Sequence, residues 1–229
     1  GCDGAGLTRR RYGAGRRRPL GTLGPAASAL AAAGCRTFFV ALPDEGRRAR
    51  AVLPDATIYV LNGFFAEAAE LYRTAALRPV LNSPEDVDAW SALGGGKPSA
   101  LQGDTGMNRL GLSLHEAVAL AHSPERLRAV APRLLISHLA CADTPAHPLS
   151  AAQLALFREI RAEFPELPAS LANSAGVFLG SDYHFDLARP GIALYGARYA
   201  ADQPPLRTVV TARARIVQVR DAEAGETIG

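Results

Sequence analysis

Residues 37–62 read TFFVALPDEGRRARAVLPDATIYVLN. The stretch opens on a short apolar run, Thr37–Leu42. It passes through a charged segment of helical character, Asp44–Val52, and returns to a second apolar run, Thr57–Leu61, closed by Asn62-Gly63. A short continuous apolar run marks a strand buried on both faces, because each face meets other protein rather than water. Two such strands joined through a helix form a βαβ unit, which makes them parallel.

The pattern extends in both directions. Upstream, Ala26–Ala33 forms a helix stopped by Gly34. Downstream come a helix at Ala66–Ala75, a strand at Pro79–Leu81 ending in Asn82-Ser83, and a helix from Ser83 through Leu93. Glu85 and Asp86 stand in that helix's first turn, where carboxylates suit the positive end of the dipole. Ser99–Gly103 is a strand running into the loop around Asp104, and Ser113 caps a helix through His122. Leu134–Leu139 (LLISHL) is a strand. Ser150–Phe164 is the longest helix, with Leu154, Phe157, Ile160 and Phe164 on one face. Ala169–Ala172 is a strand into Asn173-Ser174, and Asp186–Leu194 holds the last of seven. After Pro205 the period changes: Val209–Arg220 (VVTARARIVQVR) alternates apolar and polar residues, as a half-exposed strand does.

Two architectures accommodate repeated βα units, a doubly wound open sheet and a (β/α)8 barrel. The polar residues decide between them. Asn62, Asn82, Asp104, His138, Asn173, Ser174 and Arg189 all fall at or just after strand ends. In a barrel they share the C-terminal rim, where active sites are built. No Gly-x-Gly-x-x-Gly follows a first strand, which counts against a dinucleotide-binding sheet.

Composition sets the remaining bounds. The 229 residues carry 25 Lys+Arg against 22 Asp+Glu, a formal net charge of +3. Six of the arginines (Arg9, Arg10, Arg11, Arg16, Arg17, Arg18) and only one acid, Asp3, lie in the first 20 residues. The remainder has 19 basic and 21 acidic residues, so the basic character belongs to one Gly/Arg-rich block. A nucleic-acid-binding arm on a barrel is one reading of that block; it lacks aromatic residues apart from Tyr12, and the acidic remainder argues against it. No apolar run approaches the roughly 20 residues that span a bilayer. Cys2, Cys35 and Cys141 show no paired spacing. That fits a reducing, cytoplasmic setting and neither a disulfide framework nor a metal site. Lys97 is the single lysine among the 25 basic residues.

Three motifs carry the chemistry: GDTGMNRLG at Gly103–Gly111, SHLACAD at Ser137–Asp143, and DLARPGIALYG at Asp186–Gly196, preceded by LANSAG at Leu171–Gly176. In this order and at these distances they resemble alanine racemase, a pyridoxal-phosphate enzyme that interconverts L- and D-alanine and supplies D-alanine for peptidoglycan. The resemblance runs from about Ala26 to Gly229. It implies a (β/α)8 barrel that binds pyridoxal 5'-phosphate, alanine as substrate, a homodimer, and no nucleic-acid or membrane partner.

The resemblance also implies roles. Arg109 matches the arginine that contacts the cofactor's phenolic oxygen. His138 matches the histidine that packs on the pyridine ring and orders Arg189. Arg189 matches the arginine facing the pyridine nitrogen. A guanidinium does not give up its proton there, so the ring nitrogen stays unprotonated and transamination is disfavoured. Ser174, Gly191 and Ile192 match phosphate ligands, and Tyr12 matches a further phosphate contact. Gln102 stands where many members carry a carbamylated lysine that braces the arginine at the Arg109 position; an amide cannot be carbamylated.

The family also needs a Schiff-base lysine at the end of the first barrel strand. Around Arg11-Tyr12-Gly13-Ala14-Gly15 the matching position is Thr8, which forms no imine. Lys97 follows Gly94-Gly95-Gly96 and precedes the Ser99 strand, which puts it on the opposite rim. The expected organisation is therefore residues 1–24 outside the family pattern, a barrel over 25–204 with its first strand disguised or lost, and the first strand of a C-terminal β domain over 205–229. The expectation is a racemase chain incomplete at both ends, its N-terminal block a mis-framed lysine segment. Such a chain lacks the partner-subunit tyrosine and is inactive as written. A non-catalytic barrel that binds the cofactor is the alternative.

Overall fold

The computed structural model describes residues 5–6, 23–198, 203–209, 215–221 and 223–225. Seven strands form one sheet: β1 (Ala5–Gly6), β2 (Thr37–Val40), β3 (Thr57–Val60), β4 (Leu77–Leu81), β5 (Ser99–Gln102), β6 (Pro132–Ile136) and β7 (Ala169–Ser170). Their order in space is their order in the chain, and every pair is parallel. Right-handed crossovers that always advance in one direction place every helix on the same face. The other face must then be covered by the sheet itself, which curls as in a (β/α) barrel rather than winding doubly.

The buried side chains separate accordingly. Phe39, Tyr59, Val80, Ala100, Leu134 and Ile136 form a cluster of their own, one or two per strand, on the inner face. Their neighbours Phe38, Val40, Ile58, Val60, Leu81, Leu101 and Leu135 point outward into the larger core beneath the helices. A strand buried on both sides needs this continuous apolar run, and that is why the alternation is invisible in the sequence.

The helices are α1 (Leu23–Ala32), α2 (Pro43–Arg50), α3 (Ala69–Thr74, after a 3-10 turn at Ala66–Ala68), α4 (Pro84–Leu93), α5 (Leu114–Ala121), α6 (Pro124–Val130) and α7 (Pro148–Ala162). Their starts follow local chemistry. Ser83 Oγ accepts from the Asp86 N–H at 3.2 Å, and Ser113 and Glu116 form a reciprocal capping box. Caps of this kind each contribute about 1 kcal/mol. None of the helices among the described residues is long and apolar enough to cross a membrane.

One expectation gains its place and three points of the pattern change. The disguised first strand is Ala5–Gly6, which pairs with Phe38 and Phe39. Helix α6 was not expected; Ser123-Pro124 starts it and left-handed Ala131 (φ 42°) ends it. The last strand, Asp186–Leu194, shrinks to one parallel bridge between Asn173 and Arg189. Pro190 has no N–H to continue a ladder, and the chain turns at once into a 3-10 helix, Ile192–Tyr195. Within Val209–Arg220 the described residues, Val209 and 215–220, are not paired in a sheet, and Ile216, Val217 and Val219 are exposed.

Candidate active site

The loops after β3, β4 and β5 form one wall of the C-terminal rim. Helix α4 begins there, and its Asp86 carboxylate accepts the Asn82 N–H at 2.9 Å. Burial raises the Asp86 pKa, and backbone N–H donors from Asn82 and Phe64 oppose the rise. The Asn82 amide donates to the carbonyls of Leu61 (3.0 Å) and Val80 (3.0 Å), tying two strand ends together. Beyond β5 the chain doubles back. Asp104 Oδ1 collects the N–H groups of Gly106, Met107 and Asn108 at 2.9, 3.0 and 3.1 Å. Gly111 (φ +123°) closes the turn, where a Cβ would sit 2.5 Å from the Asp104 nitrogen. Between these anchors Arg109 is held out in the open, at the edge of a cavity of about 560 Å³ that Asn62, Asn82, Asp86 and Asp104 also line. Gln102 donates to the Leu110 carbonyl at 2.9 Å. It braces the backbone next to Arg109 rather than the guanidinium.

The second wall lies beyond β6 and β7. Arg189 is 6 % exposed. Its guanidinium donates through Nη1 to the Ser170 carbonyl (2.7 Å) and Oγ (2.5 Å), and through Nη2 to the Ser137 carbonyl. It also lies 5.9 Å from the centre of the Phe39 ring, which itself stacks on Tyr59. All three acceptors are neutral. Burial without a counter-charge lowers the Arg189 pKa to about 10, which leaves it a cation at neutral pH.

Next to it, Ser174 Oγ accepts from the Gly191 N–H at 2.6 Å and the Ala193 N–H at 3.3 Å. The hydroxyl thus occupies a small nest of backbone donors at the start of the 3-10 helix. Such a nest accepts an oxyanion for the same reason it accepts a hydroxyl oxygen. Asn173 turns the chain and ties it to the loop after β6: its Oδ1 accepts from the Gly176 N–H and its Nδ2 donates to the Leu139 carbonyl.

His138 follows β6 and is half-buried; its carbonyl accepts from Gln153 Nε2 at 2.9 Å. Thr105 and Ser137 lie inside the motifs without an assigned role, and Ser170 and Gln153 lie outside them; all four support the site. Gln153 did leave a signal, as a polar residue on the same helical face as Phe157 and Ile160, where apolar side chains belong.

The family described as "Alanine racemase, N-terminal domain" matches residues 21–199. The chain belongs to the alanine racemase family. An alanine racemase of Rhizobium meliloti (strain 1021) is 52% identical over 206 residues, covering 88% of this chain and 54% of that protein. One from Methylobacterium nodulans is 50% identical over 208 residues, 89% of this chain and 56% of the other. The crystal structure of alanine racemase from Bartonella henselae, with covalently bound pyridoxal phosphate, matches with a TM-score of 0.75 at 40% identity. It covers 80% of this chain and 55% of that one. The biosynthetic alanine racemase of Pseudomonas aeruginosa matches with a TM-score of 0.67 at 34% identity, over 78% of this chain and 51% of that one. The chain spans about half the length of the curated relatives it matches.

Against the racemase pattern, Arg189, Ser174 and Gly191 come together, joined by the Asn173–Arg189 bridge. Ile192 lies half in solvent beside them, and Ala193 joins the set through its N–H. Arg109 stands on the other wall of the same rim. Tyr12 and Thr8 lie outside the described residues. Lys97 is exposed just before β5, and its carbonyl accepts from the Trp90 indole at 3.1 Å. Lys97 and Arg109 therefore flank opposite ends of the same strand.

Proposed function

We propose that this chain supplies the cofactor-holding barrel of an alanine racemase that interconverts L- and D-alanine for peptidoglycan. The observation that carries the reading is the buried Arg189 guanidinium, held by neutral oxygens beside the Ser174–Gly191–Ala193 nest. A cation without a carboxylate partner and a pair of backbone N–H donors suit the two ends of pyridoxal 5'-phosphate. When bound, that cofactor supplies an electron-withdrawing ring that acidifies the Cα–H of a joined amino acid.

This chain's residues divide the work. Ser174, Gly191 and Ile192, with the Ala193 N–H, hold the phosphate. Arg189 retains N–H donors beyond its three bonds. It presents them to the ring nitrogen, and as a cation it offers no acceptor for a ring-nitrogen proton. His138 packs on the ring. Arg109, exposed over the cavity, neutralises the phenolic oxygen. The whole family protein works as a homodimer in the cytoplasm, without nucleic-acid or membrane partners.

The 229-residue chain by itself is read as catalytically silent. Its one lysine lies at the wrong end of β5, so no lysine bonds the cofactor at this rim. Equilibrium dialysis of the chain against pyridoxal 5'-phosphate tests the reading. Reversible binding is expected, weakened about tenfold by Ser174→Ala through loss of one charge-assisted contact. Mass spectrometry after borohydride reduction is expected to show no adduct on Lys97, and the chain to leave L-alanine unracemised. Absence of binding overturns the site; a reduced Lys97 adduct or racemisation overturns the silence.

A further inference from the structure

We propose that Gln153 is a positioning residue that aligns the two walls of the site; the inference rests on the function proposed above. Gln153 belongs to α7, on the helix-covered side of the barrel, yet its side chain is completely buried and its carboxamide reaches the rim. Nε2 donates to Thr105 Oγ1 at 3.1 Å and to the His138 carbonyl at 2.9 Å. Oε1 accepts the Ala140 N–H at 2.9 Å.

These three bonds tie together parts of the chain that are far apart in sequence. Thr105 stands in the loop that carries Arg109. His138 and Ala140 stand in the loop after β6. Thr105 Oγ1 is also 2.8 Å from Ser137 Oγ, and the Ser137 carbonyl accepts from Arg189. One amide therefore fixes the Arg109 loop against the His138 strand end, and through Ser137 it sets the Arg189 guanidinium. A buried carboxamide suits this task because it offers two donors and an acceptor on one rigid plane without a charge. A carboxylate of the same shape would offer no donor, and an apolar side chain would leave Thr105, His138 and Ala140 each short of a partner.

The Ser174 hydroxyl accepts only from the Gly191 and Ala193 N–H groups, so among the described residues no side-chain hydrogen bond joins this nest directly to Gln153, Thr105 or Ser137. The side-chain bonds of Gln153 thus lead to the groups assigned to the cofactor's ring, whereas the phosphate nest is reached only indirectly, through Asn173. That separation gives a readout that general loosening of the fold does not reproduce.

The test compares the full 229-residue chain with Gln153→Met, measuring pyridoxal 5'-phosphate by equilibrium dialysis and inorganic phosphate by phosphorus NMR. The expected result is a Kd for the cofactor raised about tenfold and a Kd for phosphate within about twofold of the parent. Unchanged values for both ligands, or an equal rise in both, overturn the proposal while leaving the functional reading intact. Failure of the parent chain to bind either ligand overturns the functional reading, and the inference with it. If Gln153→Met does not fold, Thr105→Val carries the same comparison. It cuts the link to Ser137 with little change of shape, and its expected split is about threefold in the same direction.

Discussion

Arg109 and Arg189 are both arginines on loops at the C-terminal rim of one sheet, and their surroundings are opposite. Arg109 stands in solvent on a loop whose shape is fixed by Asp104 and Gly111. Arg189 is sealed between Ser137, Ser170 and Phe39. An exposed guanidinium contributes little to stability and is available to a ligand. A buried one without a counter-charge carries a desolvation cost, offset by strong hydrogen bonds to fixed acceptors. The comparison teaches that the second wall is built into the fold, whereas the first is displayed by it.

The contrast breaks most readily at Arg189. Arg189→Ala orphans the Ser137 and Ser170 acceptors and opens a void, so urea unfolding at pH 8 should show a loss of about 3 kcal/mol. A loss no larger than that of an exposed arginine would sink the contrast. The pH dependence has a definite sign. Burial lowers the folded-state pKa to about 10, below the value of the guanidinium in the unfolded chain. Between those values the native state has released a proton that the unfolded chain still holds. Stability contributed by this group therefore rises with pH in that window. The gap between parent and Arg189→Ala should widen from pH 10 to pH 12; a constant gap would mean the cation is not desolvated.

A smaller effect is expected at the turn that displays Arg109. Gly111→Ala places a methyl group against the backbone of Gly103 and Asp104 at a positive φ, which should cost about 2 kcal/mol. The same variant should weaken cofactor binding, because the loop must shift to relieve the clash. Unaltered stability would show that the turn is softer than its geometry. The smallest effect on stability belongs to Arg109→Ala, within about 0.5 kcal/mol. Its cost should appear instead in cofactor affinity, about tenfold in dialysis. A large unfolding effect would make the two arginines alike.

The rhythm of strands and helices was legible because the central strands are covered on both faces, which writes them as unbroken apolar runs such as TFFVAL and LLISHL. The site motifs were legible because glycine, asparagine and arginine at strand ends have few other reasons to cluster there. Less legible were elements whose form depends on distant partners. Ala5–Gly6 is a strand only because Phe38 and Phe39 offer it an edge. Asp186–Leu194 looks like a strand in its apolar content, yet Pro190 and the Ser174 hydroxyl turn it into a bridge and a 3-10 helix. Gln153 is not legible as a site residue because the helical period assigns its position to packing; its role depends on Thr105 and His138, which lie beside it only in the folded chain.

The sequence by itself determined the class of the fold, the rim on which the polar residues gather, and the family to which the motifs belong. It also determined that the single lysine precedes β5 instead of following a strand. These are local properties, set by composition, period and spacing along the chain. The tertiary structure alone decided which arginine is buried and which is displayed, what holds Arg189, and that one amide on α7 joins the two walls. Those properties arise between residues separated by tens of positions, where burial and hydrogen-bond partners are fixed by the packing of the whole sheet.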